Sequence, residues 1–230
     1  MGQAVHIPQW KRWLSYLMEF HIESSFSEYN PHLYVSLKNN RFQLCTANAI
    51  YSYGDLYDNF SAAFRRIQMD KFPDGQEMLI LGFGLGSIPI ILEKQHQKTF
   101  RYTAVEIDEA VLDLANRYAL PDIHSPIEMI CADAFAYMAQ CQRQFDLIAV
   151  DVFLDDEIPG NIQGADFLSQ LKRVIKPEGL ILYNRLAFTE EDLKQTKLFF
   201  EEQFQPIFQN GTFLAVNSNW MLLNRSDMLK

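Results

Sequence analysis

A chain of 230 residues with 48% hydrophobic and 21% charged residues has an ordinary globular composition, with room for one α/β domain and a small additional unit. Its longest apolar runs are shorter than the roughly 20 residues that cross a bilayer, and its opening, MGQAVHIPQWKRWLSYL, lacks the unbroken apolar stretch of a secretory signal. The formal net charge of −9 argues against a nucleic-acid partner, whose binding surface is usually basic, and is compatible with a cationic small molecule.

Residues 1–54 predict a helix followed by a small antiparallel β unit. Trp10, Trp13 and Leu17 recur at helical spacing and indicate a short amphipathic helix within residues 9–20. Three partly alternating runs follow, FHIESSFS, HLYVSLK and RFQLCTA. Asn39-Asn40 suits a hairpin turn between the last two, because asparagine tolerates left-handed backbone. The aromatic residues of the first segment either form a homodimer contact or cover the sheet.

Residues 55–230 predict a Rossmann-like, doubly wound α/β domain. A helix over 55–68 ends at the turn KFPDGQ, and strands then alternate with helices. The five predicted parallel strands are MLILG, RYTAVE, IEMIC, FDLIAVDV and LILYN. The long surface helix EEDLKQTKLFFEEQF precedes two antiparallel strands, TFLAVN and WMLLN, which completes a seven-stranded sheet. We expect the ligand crevice at the carboxyl ends of the parallel strands.

Three glycines interrupt the first parallel strand and the helix after it. Gly82, Gly84 and Gly86 are spaced G-x-G-x-G, and Ser87, the expected helix N-cap, occupies the place of the third glycine in the dinucleotide pattern G-x-G-x-x-G. This spacing favours an adenosyl sulfonium nucleoside over a dinucleotide. The alternative is that these glycines serve only the geometry of the turn.

The next three parallel strands each end in an acidic residue. Glu106 follows Gly86 by twenty residues and is placed to accept hydrogen bonds from a ribose diol, whereas Asp108 is better placed to cap the following helix. Asp133 either accepts from an adenine amine or caps its own helix, and Asp151 ends the fourth strand. Because the carboxyl ends of parallel strands meet at one edge of a sheet, these groups together predict a nucleoside site.

These segments resemble the spermidine synthase-like branch of the class I S-adenosylmethionine-dependent methyltransferases. The similarity rests on LILGFGLGS, TAVEIDEAVLDLANRY, CADAFAYM, FDLIAVDVF and LKRVIKPEGLILYN, and on the hairpin HLYVSLKNNRFQLCTA with YSYGDLYDNF. It implies that the three glycines pass the sulfonium of S-adenosylmethionine or its decarboxylated form. It also implies that Glu106 holds the ribose and that Asp133 with Ala134 holds the adenine, with Ile107 and Asp151 as further cofactor-binding residues.

The sequence departs from this family at two acidic positions. Aminopropyltransferases of the family carry G-G-G-D-G-G, whose acid binds the amine of the aminopropyl arm, and Leu85 stands at that position here. They also carry D-S-S-D, whose first acid deprotonates the attacking amine. Asp151 matches this acid, while Leu154 replaces the second and Asp155 comes one residue later. Tyr57 is similar to a tyrosine that lines the family's substrate pocket.

Three functions follow as hypotheses. The first is methyl transfer to an unidentified small molecule with Asp151 as base, in which Asp155, Asp156 and Glu157 attract a cationic acceptor unless they form a solvated loop. The alternative is aminopropyl transfer to a polyamine from decarboxylated S-adenosylmethionine, which requires another acid to compensate for Leu85. A second alternative is a non-catalytic protein that binds a nucleoside or a partner.

The cysteines and histidines predict no metal site. Cys45, Cys131 and Cys141 are scattered without CxxC spacing, and the five histidines show no ligand spacing with them. We therefore expect buried free thiols in a cytoplasmic protein without metal, membrane or nucleic-acid contacts.

Overall fold

Two β-sheets form the framework of the computed structural model, which describes residues 5–47, 49–154 and 157–230. The smaller sheet contains four strands that pair antiparallel in chain order. They are β1 (Phe20–Ser25), β2 (Leu33–Lys38), β3 (Arg41–Cys45) and β4 (Ile50–Ser52), and the helix α1 (Gln9–Leu14) precedes them.

Local turn chemistry fixes the hairpin of the small sheet. Asn39 and Asn40 have φ angles of 50° and 57°, and Lys38 pairs with Arg41 across the predicted turn. The helix α1 is shorter than predicted, because the chain is already extended as β1 at Phe20. No residue of α1 is buried, and Trp13 is 71% exposed, so this helix does not form the predicted cover over a sheet.

The larger sheet has seven strands and confirms the predicted fold class. Its spatial order is β10-β11-β9-β8-β5-β6-β7, in which β5 to β9 run parallel and the last two strands form an antiparallel hairpin against β9. The strands are β5 (Gln76–Leu81), β6 (Phe100–Glu106), β7 (Ile127–Cys131), β8 (Phe145–Val150), β9 (Ile175–Leu186), β10 (Thr212–Val216) and β11 (Asn219–Leu223).

Helices connect these strands and cover both faces of the sheet. They are α2 (Asp58–Arg65), α3 (Ser87–His96), α4 (Glu109–Tyr118), α5 (Ala134–Gln140), α6 (Ala165–Val174), α7 (Glu190–Phe199) and α8 (Gln205–Ile207). A π-helical turn over Phe200–Phe204 joins α7 to α8, and Phe200 and Phe204 are buried, so the predicted surface helix has an apolar inner face. The stretch KPEG after α6 is extended and belongs to β9.

The alternation of side chains along β5 divides the core into two layers. Met78 and Ile80 belong to a cluster that includes residues of the small sheet, α2, α3 and α4. Leu79 and Leu81 point to the opposite face and join a cluster with residues of α5, α6 and the aromatic segment after α7. All four side chains are fully buried, as expected for a central strand covered on both faces.

Candidate functional site

A cavity of about 730 Å³ lies at the carboxyl ends of the parallel strands. It is lined by eight of the nine residues that the sequence assigns to the site: Tyr57, Gly82, Gly84, Glu106, Ile107, Asp133, Ala134 and Asp151. Tyr51, at the end of the small sheet, also lines it. The ninth residue, Gly86, does not reach the cavity wall.

Two of the glycines are required by close contacts within the fold and also line the cavity. Gly82 has a φ of 83°, and a Cβ atom there would lie 2.1 Å from the carbonyl oxygen of Asp151. A Cβ at Gly84 would lie 3.3 Å from Cβ of Ser52. These glycines let the end of β5 approach the end of β8 and the small sheet, while leaving their backbone on the cavity.

The start of α3 differs from the prediction. Gly86, with a φ of 67°, occupies the N-cap position, so the expected N-cap at Ser87 is wrong. The Ser87 hydroxyl instead lies 2.6 Å from that of Ser52 and accepts a hydrogen bond from the Tyr53 N–H. It therefore ties the small sheet to the glycine loop.

Glu106 holds the glycine loop from the tip of β6. Its Oε2 accepts hydrogen bonds from the N–H groups of Phe83 (3.0 Å) and Gly84 (3.2 Å), and its Oε1 accepts one from Asp108 (3.3 Å). Burial raises the pKa of Glu106, and these backbone donors counteract that effect. A carboxylate that lines the cavity is thus fixed in place before any ribose is bound.

The two following aspartates cap helices. Asp133 accepts from the Ala136 N–H at 2.8 Å, which confirms the predicted cap, and the same residue also lines the cavity. Asp108 caps α4, as predicted, through the Ala110 N–H at 3.0 Å.

Asp108 also joins the small sheet to the edge of the large sheet that carries the cavity. Its Oδ2 accepts from the Ser27 hydroxyl (2.6 Å) and from the buried amide of Asn30 (2.7 Å). The loop between β1 and β2 is therefore anchored two residues beyond Glu106.

Asp151 is the centre of a buried polar chain. Its Oδ1 accepts hydrogen bonds from Nδ2 of Asn184 at 2.8 Å and from the hydroxyl of Tyr57 at 3.4 Å, and Asn219 donates in turn to Asn184 at 2.9 Å. Burial raises the pKa of Asp151 to about 6, although both hydrogen bonds act in the opposite direction. Burial and the neighbouring charge of Asp151 raise the pKa of Tyr57, which therefore stays a donor. The carboxyl group of Asp151 therefore takes up a proton at a higher pH than an ordinary aspartate does.

The two leucines at the acidic positions of the family occupy different places. Leu85 is 2% exposed, packs in the core and lines a separate, smaller cavity. Leu154 lines the large cavity and is 38% exposed. Asp155 and Asp156, predicted to attract a cationic acceptor, lie outside the described residues, and Glu157 is exposed.

Several residues of the cavity escaped the sequence prediction. Asn184 ends the apolar run LILYN and directly follows the part of β9 that pairs with β8, so the strand-end rule that selected Glu106 and Asp151 could have found it. Asn219 on β11 and Asp192 on α7 carry no such signal, because they are far away in sequence and reach the cavity only through the fold.

The charge of the cavity wall has one sign. Among described residues it contains Glu106, Asp133, Asp151 and Asp192, and no lysine, arginine or histidine. Over the same described ranges, no group of three His, Cys, Asp or Glu side chains is arranged to hold a metal ion. The cysteines are free, but Cys131 is exposed and not buried as expected.

Comparisons with known proteins place this geometry in a family. The spermine/spermidine synthase domain matches residues 65–213. A probable polyamine aminopropyl transferase of Bifidobacterium longum is 32% identical over 139 residues, which is 60% of this chain and 30% of that protein. An N-terminal histidine N-methyltransferase of Emericella nidulans is 33% identical over 116 residues, covering 48% of this chain and 20% of its own. The chain thus spans less than half the length of these curated relatives.

A solved structure supports the same fold. A probable spermidine synthase of Corynebacterium glutamicum superposes with a TM-score of 0.70 at 18% identity, over 90% of this chain and 79% of that one. No helix among the residues described has both the length and the apolar character needed to traverse a bilayer. The chain belongs to the spermine/spermidine synthase family, a family of transferases with the Rossmann-like fold of class I methyltransferases.

Proposed function

We propose that the protein transfers an aminopropyl group from decarboxylated S-adenosylmethionine to an amine. The observation that carries this proposal is that every charged side chain described in the cavity wall is acidic. It raises aminopropyl transfer, the alternative in the sequence-based hypotheses, above methyl transfer, and relatives with polyamine aminopropyltransferase names favour the same order.

Charge distinguishes the two donors. Decarboxylated S-adenosylmethionine carries two positive charges, on its sulfonium and its ammonium group, and no negative one. S-Adenosylmethionine carries an additional carboxylate, and burying a carboxylate without a cationic or hydrogen-bonding partner is costly. The described wall offers four carboxyl groups and no basic side chain, which favours the dicationic donor.

Asp151 supplies the proton chemistry that an amine acceptor requires. An alkylamine, like a lysine side chain, has a pKa of about 10.4 and is nucleophilic only after it loses its proton. A carboxylate with a pKa of about 6 accepts that proton more readily than an ordinary aspartate. Asn184 and Tyr57 fix Oδ1 of Asp151, and the second oxygen makes no hydrogen bond among the contacts described.

Methyl transfer is the second candidate, and Leu85 is the observation in its favour. The side chain at this position is buried in the core, so it offers no carboxylate to an aminopropyl ammonium group. The similarity to a histidine N-methyltransferase points the same way. Under this candidate Asp151 keeps its role, because an amine that is methylated must also lose a proton.

Ligand binding and product identity separate the candidates. Thermal unfolding is compared in the presence of decarboxylated S-adenosylmethionine, S-adenosylmethionine, methylthioadenosine and NAD. A ligand at about 100 times its Kd stabilises the fold by roughly 2.7 kcal/mol, which gives a clear shift in Tm. We expect the largest shifts with the decarboxylated donor and methylthioadenosine, and release of methylthioadenosine on turnover. Release of S-adenosylhomocysteine would replace this proposal by methyl transfer, and binding without any product would favour a non-catalytic protein.

A further inference from the structure

The cavity has two halves, separated by β5 in the order of the sheet. Glu106, Ile107 and Asp133 lie on the side of β6 and β7, where the nucleoside is expected. The other half is built from the ends of β8 and β9, the beginning of α7 and the β10–β11 hairpin. Asp151 lies at the end of β8, next to β5, and therefore stands between the two halves.

Six apolar side chains line the described part of the second half, beside polar ones that include Asn161, Thr189 and Ser218. Its apolar lining residues are Val152, Phe153, Leu154, Pro159, Leu186 and Phe188. Phe188 is 77% exposed and Leu154 is 38% exposed, so both leave large apolar surface in water at the cavity. One exposed apolar side chain needs no explanation, but several that converge on one cavity indicate that an apolar group is bound there.

Two carboxylates of this half lie among the described residues, and their surroundings differ. Asp192 closes a capping box with Thr189: its Oδ2 accepts from the Thr189 N–H at 2.9 Å, and the Thr189 hydroxyl accepts from the Asp192 N–H. This carboxylate therefore stabilises the first turn of α7. Asp151 lines the cavity, and its carboxylate is the group that the ammonium group of an amine acceptor would contact.

We propose that the acceptor is an amine attached to an apolar chain or ring. Its nitrogen lies at Asp151, and its apolar part packs against Leu154, Leu186 and Phe188. This inference rests on the proposed function. In the transfer, the acceptor nitrogen forms a bond to the aminopropyl carbon that is attached to the sulfonium. The bond between this carbon and sulfur breaks, and its electron pair leaves on a neutral thioether. The proton lost by the nitrogen passes to Asp151.

A matched set of amines tests the acceptor class. Calorimetry measures their binding to protein saturated with methylthioadenosine, the neutral thioether left after transfer. Butylamine and 1,4-diaminobutane have the same carbon chain and differ by one terminal ammonium, while hexylamine and 2-phenylethylamine enlarge the apolar part. We expect butylamine to bind more tightly than the diamine, and each buried methylene to tighten binding about fourfold.

Two phenylalanine variants test the apolar wall. Phe188→Ala is expected to weaken hexylamine binding about tenfold or more and to leave methylthioadenosine binding unchanged. Phe26→Ala is the matched control, because Phe26 is 81% exposed and does not line the cavity. A Phe188→Asp variant is expected to reverse the preference towards the diamine.

The outcomes separate this inference from the proposed function. Tighter binding of 1,4-diaminobutane than of butylamine, or no amine binding to the nucleoside-loaded protein, would overturn the apolar acceptor and leave the donor assignment standing. An equal loss in the Phe188→Ala and Phe26→Ala variants would also overturn it. If methylthioadenosine itself fails to bind, the proposed function is overturned, and the acceptor inference with it.

Discussion

Asp151 illustrates a conflict between catalysis and stability at a single residue. Burial holds its pKa at about 6 against 3.8 in the unfolded chain, so ionising it in the folded protein costs free energy. Asp151→Asn is expected to reduce turnover by a factor of about 10² to 10⁴, because the base is lost. At pH 7.5 the same variant should gain roughly 1–3 kcal/mol of stability. Steady-state kinetics and urea unfolding measure the two effects.

The pH dependence of this gain has a defined sign. Because the folded pKa lies above the unfolded one, the native state binds more protons than the unfolded state between pH 3.8 and about 6. Asp151 therefore favours folding at low pH, and this contribution is lost as the pH rises through that window. The gain of Asp151→Asn should be large at pH 7.5 and small at pH 4.5. Asp113→Asn, at an exposed position on α4, is the control variant for the same measurements.

Gly82 carries a prediction that concerns packing. Gly82→Ala places a Cβ 2.1 Å from the Asp151 carbonyl oxygen on a backbone with a φ of 83°, so we expect a loss of about 3 kcal/mol or more. Gly160→Ala is the control, because a Cβ there has no atom within 4 Å and its φ is not in the left-handed region. Chemical denaturation of both variants measures the difference. Similar stabilities would show that the ends of β5 and β8 tolerate separation.

Helix capping connects the elements of the two sheets. Asp108 and Asp133 each accept one N-cap hydrogen bond, from the second and the third residue of their helices, but Asp108 also binds Ser27 and the buried Asn30. We expect Asp133→Ala to cost about 1 kcal/mol, the usual value of a cap. Asp108→Ala should cost about 2–4 kcal/mol, because it also leaves a buried amide without its partner.

Unfolding of the two capping variants and hydrogen exchange of residues 26–32 measure this contrast. Loss of protection in that loop is expected for Asp108→Ala alone. Equal costs for the two variants would mean that the loop between β1 and β2 does not depend on Asp108.

Elements with strong local signals were predictable from the sequence. The hairpin at Asn39-Asn40 follows from the conformational tolerance of two adjacent residues, and the five parallel strands follow from apolar runs bounded by turns. The three-residue strand β4 was not foreseen, because it is held by pairing with β3 and by the Ser52–Ser87 hydrogen bond. That same contact takes the Ser87 hydroxyl away from the predicted cap.

The site residues also divide into those with a local sequence signal and those placed only by distant contacts. Residues at the ends of parallel strands, such as Glu106 and Asp151, were found because topology alone brings these ends together. Phe188 and Asn219 were missed, since β9, α7 and the terminal hairpin place them at the cavity through distant pairings. The close approach of Gly82 to the backbone of Asp151 was not predicted, because Asp151 lies almost seventy positions later in the sequence.

At the scale of the whole molecule, the chain is negatively charged overall, and part of this charge lies in the wall of the cavity. The chain has a formal net charge of −9, and four carboxyl groups converge on one cavity with low-dielectric walls. Such clefts raise the local concentration of cationic ligands, and dissolved salt screens the effect because the Debye length falls from about 10 Å at 0.1 M to about 3 Å at 1 M. Donor binding should therefore depend on ionic strength in proportion to donor charge.

Calorimetric titrations at 20 mM and 500 mM NaCl test this dependence. Decarboxylated S-adenosylmethionine, with two positive charges, should lose roughly three- to tenfold in affinity at high salt. Methylthioadenosine is neutral and makes the same nucleoside contacts, so its Kd should change by less than about twofold, which makes it the internal control. S-Adenosylmethionine, with a net charge of one, should fall between them. If all three ligands respond equally, the carboxylates of the wall do not act on the donor through their charge, and the distinction between the two donors must come from direct contacts to the tail.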